Sequence, residues 1–154
     1  MNEEVIFKLM EGTRQRTLKM LQETDETQAD IVPNGFNNSL RWNLGHILFI
    51  QERLLFGIAG KPMGVPESYE GMFKNGTKPA DWTGNVPSLK ELEEGLTAQP
   101  KRIREKLSGQ LEQRLETPFL GVESVGEMVV FSLNHESIHN GYMMALRRAI
   151  SAQK

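Results

Sequence analysis

The chain has 154 residues, the size of one domain, and its 38% hydrophobic fraction is enough to bury a core, which excludes disorder as its main state. Its 18 Lys and Arg against 20 Asp and Glu leave a formal charge of −2, so no basic excess exists to displace counterions from a phosphate backbone, and nucleic acid is not expected as a partner. The absence of cysteine excludes disulfides, thiolate ligands and a nucleophilic thiol; no apolar run approaches a membrane span and the N-terminus does not read as a signal peptide, so a cytoplasmic protein is expected.

Four segments carry helical spacing and none carries convincing strand alternation, which predicts an all-α fold, a four-helix bundle spanning residues 1–154 with long crossover loops. The first helix is expected from Asn2 to Glu23, with Val5, Ile6, Leu9, Met10, Met20 and Leu21 on one broad side and Thr13 and Thr17 interrupting it. Asp25 to Asn38, which holds Pro33 and Gly35, reads as a loop. The second helix opens at the cluster Asn37, Asn38, Ser39 and runs to about Ile58, where Gly57, Gly60 and Pro62 stop it. Lys61 to Pro87 is far longer than an ordinary bundle connection and reads either as a packed crossover or as a lid; Tyr69 to Phe73 can form a short helix within it.

The third helix starts at Ser88, which has a capping-box partner in Glu91, and keeps a 3,4 rhythm through Leu89, Leu92, Leu96, Ile103 and Leu107 across Pro100, where a kink is expected. From Gln110 to Glu123, Leu111 and Leu115 extend the helical pattern until Pro118 and Gly121 end it. The fourth helix begins at Ser124, with Glu127 as capping-box partner, and runs to about Ile150. Its core-facing seam reads Val125, Met128, Ser132, His135, His139, Tyr142, Leu146, Ala149.

Two imidazoles lie on that seam. At one turn apart, His135 and His139 can reach a single metal ion. His46 shares its side of the second helix with Trp42, Phe49 and Ile50, so all three histidines point inward. Buried imidazoles without a metal would each need hydrogen-bond partners and would resist charging. Three neutral nitrogen ligands without a thiolate suit Zn²⁺, Ni²⁺, Fe²⁺ or Co²⁺ and leave a coordination position open, as catalytic sites do. His135-Glu136-Ser137-Ile138-His139 also matches the H-E-x-x-H helix of zinc proteases. The match is incomplete, because Asn140 to Lys154 offers no His, Asp or Glu as third ligand and no edge strand is expected to hold a peptide. Glu136 is then either a base for metal-bound water or, more plainly, a solvated helix residue.

The segments Trp42-Asn43-Leu44-Gly45-His46, Glu52-Arg53-Leu54-Leu55-Phe56, Tyr69 to Gly76 with Asp81-Trp82, and His135 to Gly141 with Leu146-Arg147-Arg148 resemble the DinB/YfiT-like family, over nearly the whole chain. The resemblance implies a four-helix bundle of up-down-down-up topology whose three-histidine metal site maps onto His46, His135 and His139. The family pattern often has Gln where this chain has Tyr142, which leaves any polar contact of that Gln without a counterpart. Relatives include transferases and isomerases that use low-molecular-weight thiols, and metal-dependent hydrolases; members often form homodimers.

These readings lead to a metal-dependent thiol S-transferase with a small-molecule substrate, in which Zn²⁺ or Ni²⁺ holds an external thiol as thiolate. A metal-dependent hydrolase of small esters or amides uses the same ligands. A third reading is a non-catalytic ligand-binding bundle, with the eight methionines and aromatic residues lining a pocket or simply forming core.

Overall fold

The computed structural model describes residues 2–152. Its long helices are α1 (Glu3–Gln22), α3 (Leu40–Glu52), α5 (Leu89–Leu107) and α6 (Val125–Ala152), with the short helices α2 (Glu26–Ala29) and α4 (Ser68–Phe73) in the connections. The starts follow the capping chemistry of the sequence. Asn2 Oδ1 accepts from the Val5 amide (3.2 Å), and Ser39, the last of its polar cluster, accepts from the Trp42 amide (3.2 Å). Both capping boxes close: Ser88 with Glu91 (3.2 and 2.8 Å) and Ser124 with Glu127 (3.2 and 3.2 Å).

α1 and α3 each pack against both α5 and α6, so they occupy opposite corners of a four-helix bundle. Every residue of α3 is buried, which makes it the innermost helix, with α4 laid over its outer side. α5 continues across Pro100, and the five aliphatic residues of its predicted stripe are all buried. No helix among the described residues is long and apolar enough to cross a membrane.

Four expectations are corrected. The segment after α1 is not all loop, because Asp25 Oδ1 accepts from the Thr27 and Gln28 amides (3.0 Å each) and nucleates the one-turn α2, too short to show periodicity. The second helix loses its α pitch before Ile58: from Arg53 to Gly57 the turns widen, and the Ile58 amide reaches the Arg53 carbonyl (2.8 Å). Residues 114–124, where a helical pattern is expected to run on only as far as Pro118, form an antiparallel hairpin, β1 (Arg114–Phe119) with β2 (Val122–Ser124). Its loop is Leu120 (φ 50°) and Gly121 (φ 83°), the left-handed pair that suits the twist of a two-residue hairpin turn.

The fourth correction lies inside the bundle. Val5 and Leu9 are exposed, and α1 turns Ile6, Phe7, Met10, Arg14, Thr17 and Leu21 inward. Arg14, 2% exposed, touches all four long helices. It donates to Glu136 on α6 (2.8 and 3.1 Å), to the Leu96 carbonyl (2.7 Å) and Gln99 (2.9 Å) on α5, and to Gln51 on α3 (2.7 Å). Thr17, taken as an interruption, is part of the same knot: its Oγ lies 2.5 Å from Glu136 and 3.0 Å from the Asn140 carboxamide.

Candidate metal centre

The burial of α6 is rotated from the expected seam. Its innermost line runs through Val129, Ser132, Leu133, Glu136, Asn140 and Met143, with Glu136 paired to Arg14. Glu136 is 1% exposed with both oxygens engaged, so it is neither a solvated residue nor a base for a metal-bound water. Met128, Ser132 and Leu146 of the expected seam are buried, whereas Val125, His135, His139, Tyr142 and Ala149 flank it, half-buried. The displacement puts the two imidazoles at the wall of a solvent-open cavity of about 470 Å³ instead of in sealed core.

His46 reaches the same point from α3. One ring nitrogen from each of His46, His135 and His139 can be chosen so that all lie within 4.8 Å of one another, and the ring centroids stand 4.5 to 5.0 Å apart. Two of the rings are oriented from behind. His46 Nδ1 donates to the Phe73 carbonyl (2.6 Å) and His139 Nδ1 to Asn43 Oδ1 (2.8 Å), which leaves both Nε2 atoms unprotonated. Asn43 is itself fixed, its Nδ2 donating to the Ser39 carbonyl (2.8 Å), so its oxygen is the atom left to face His139.

The approach of Phe73 depends on Gly45. A Cβ there would meet the Phe73 ring at 2.4 Å. Trp42 stacks on His46 at 4.4 Å, and its Nε1 donates to Thr77 (3.0 Å), whose hydroxyl reaches the Met72 carbonyl (2.7 Å). Trp82 Nε1 donates to the same carbonyl (3.0 Å), so the long connection is tied down beside the site by its aromatic residues.

Burial pushes His46 from its ordinary 6.5 down to about 4, against the hydrogen bond to Phe73 and aided by His135. Burial takes His139 to about 3, with His46 and His135 adding to the shift. His135 is also lowered by burial, opposed by the nearby Glu136 charge. All three are neutral at pH 7, the form in which imidazole binds metal. His46 Nε2 lies 3.1 Å from His135 Nε2, a separation that two ligands of one cation adopt and that, with no ion between them, a proton on His135 Nε2 bridges as a hydrogen bond to His46. The donor set fits a divalent ion.

The folded metal-free protein resists protonating His46 down to about pH 4, whereas the unfolded chain takes up that proton near 6.5. Its stability is therefore full above pH 6.5 and falls as the pH drops towards 4, by about 3 kcal/mol from His46 alone. Denaturant unfolding of metal-free protein between pH 7.5 and 4.5 measures this loss, and His46→Gln flattens the curve.

The sequence model of the DinB superfamily matches residues 9–143. No curated protein matches the chain. Among solved structures, a conserved protein from Enterococcus faecalis superposes with a TM-score of 0.72 over 98% of both chains at 13% identity, a likeness of fold alone. The family match takes in all three histidines, the whole of α3 and α6 as far as residue 143, and the chain belongs to the DinB superfamily.

Proposed function

We propose that this protein is a metal-dependent enzyme acting on a small molecule, and that His46, His135 and His139 hold one Zn²⁺ or Ni²⁺ for the transfer of an external low-molecular-weight thiol. The observation that carries the reading is the set of three neutral imidazoles converging at the wall of a cavity open to solvent. A divalent ion held there would lower the pKa of a thiol and keep it as thiolate at neutral pH. The chain contributes no thiol of its own, which agrees with one that arrives from outside. Its residues orient and desolvate: Phe73 and Asn43 fix two imidazoles, and Trp42 walls one side. The hydrolase reading is weakened, because Glu136, its intended proton carrier, is locked to Arg14.

Metal-loaded protein is expected to conjugate a chlorodinitroarene only when a thiol is added. Hydrolysis of model esters without thiol would overturn the transferase reading in favour of the hydrolase. Metal uptake with neither reaction would favour a binding role. Asn43→Ala is expected to weaken metal affinity about 10- to 100-fold, the usual effect of losing an orienting partner, with the helical circular dichroism unchanged. Calorimetric zinc titration checks it.

A further inference from the structure

No carboxylate, ammonium or guanidinium lines the cavity of the three histidines. Of its polar groups, Trp42 Nε1 is committed to Thr77, Asn43 is held between Ser39 and His139, and Asn37, Asn38 and Asn75 contribute carboxamides, which do not ionise. Tyr142 also lines this cavity, and among the described residues its hydroxyl has no hydrogen-bond partner. Its ring is held by Phe36, edge-on at 5.3 Å between centroids. Tyr142 stands three residues after His139 on the same side of α6, so the phenol and the histidines line one cavity. It is the cavity's one ionisable proton donor outside the histidine cluster.

We propose that Tyr142 is the hydrogen-bond donor for the substrate's acceptor oxygen, and that the substrate is a carbonyl compound attacked beside the three-histidine centre. When the thiol sulfur bonds to the carbonyl carbon, the π electron pair moves onto oxygen, and the phenol O–H shortens its hydrogen bond to that charge while keeping its proton. For an ester or thioester substrate, the adduct collapses as the pair returns to re-form the carbonyl, now a thioester of the incoming thiol, while the bond from the carbonyl carbon to the original oxygen or sulfur breaks and that group leaves with the bonding pair and takes a proton from solvent. An uncharged donor in a cavity without lysine or arginine suits a neutral carbonyl better than a substrate that must be held by a carboxylate. This inference rests on the metal reading of the site.

The chain has two tyrosines, and the other, Tyr69, is buried in the core, so fluorotyrosine labelling gives two ¹⁹F lines that Tyr69→Phe assigns. Zinc-loaded protein is titrated with acetohydroxamate, which carries acceptor oxygens, and with ethanethiol, which carries none. Acetohydroxamate is expected to move the Tyr142 line and leave Tyr69 in place, and Tyr142→Phe to weaken acetohydroxamate about 3- to 10-fold, as for one hydrogen bond, without changing ethanethiol. A stationary Tyr142 line, or equal acetohydroxamate affinity in Tyr142→Phe, with zinc bound, overturns this inference and leaves the metal reading standing. Failure to bind zinc overturns both.

Discussion

His139→Ala is expected to abolish stoichiometric zinc uptake and to leave the fold in place. The two remaining imidazoles come from different helices, so the loss removes both a ligand and the chelating partner one turn from His135 on α6. Affinity is expected to fall by more than about 100-fold, beyond the usual effect of losing an orienting partner. The fold should tolerate the change because His139 is half-buried at the wall of an open cavity that Asn43 also lines, so water entering the vacated space can satisfy Asn43 Oδ1. The metal-free melting temperature is expected to move by only about 2 to 4 °C, which corresponds to about 1 kcal/mol at this size. Calorimetric zinc titration and thermal denaturation of the same metal-free samples check both halves. A collapse of melting temperature without zinc would instead assign the imidazole a structural role.

The histidine cluster was legible because it has a local signature. His135 and His139 are four residues apart, and helical geometry alone brings them together. His46 needed its apolar neighbours on α3 and the family resemblance, since no local rule connects residues 89 apart in sequence. The rear anchors were hidden: Asn43 stood within a quoted motif without a role, and Phe73 contributes a backbone carbonyl, which no side-chain pattern can announce. The hairpin at 114–124 was missed because β2 is three residues long and Leu111 and Leu115 are spaced as on a helix.

The error at Glu136 has a different physical origin. A stripe drawn through the apolar residues of α1 makes Thr17 an interruption, and a seam drawn through His135 and His139 leaves Glu136 to one side of α6. Each is polar because the other element is polar opposite it. Arg14 and Glu136 lie 122 residues apart and satisfy one another only after the bundle has closed. A readable trace existed, because Arg14 and Thr17 on α1 and Glu136 and Asn140 on α6 are spaced so that each pair shares one side of its helix. Rotating the α6 stripe by one residue recovers Gly126, Val129, Leu133, Glu136, Asn140, Met143 and Ile150, all of them buried.

Arg14→Met is expected to cost about 3 to 5 kcal/mol, because it leaves the Glu136 carboxylate buried without its cation and strips a donor from Gln51, Gln99 and the Leu96 carbonyl. At this chain length that is a fall of roughly 10 °C in melting temperature. Glu136→Leu alone should cost a similar amount by orphaning Arg14. The double variant Arg14→Met/Glu136→Leu, which removes both charges and fills the space with apolar groups, is expected to recover most of the loss, since a buried pair repays its desolvation only in part. Urea unfolding of the four proteins in the cycle measures the coupling; additive losses would mean that the pair's attraction contributes little. The same four proteins also separate stability from site geometry. Although Glu136 lies between two histidines on α6, His46 and His139 are aimed by Phe73 and Asn43, not by the Arg14 knot. Zinc affinity of the folded double variant should therefore remain within about twofold of the unaltered protein, as for uncoupled sites. A larger fall would mean that the knot sets the rotation of α6, and with it the position of His135, the one histidine whose ring no other protein group holds from behind among the described residues.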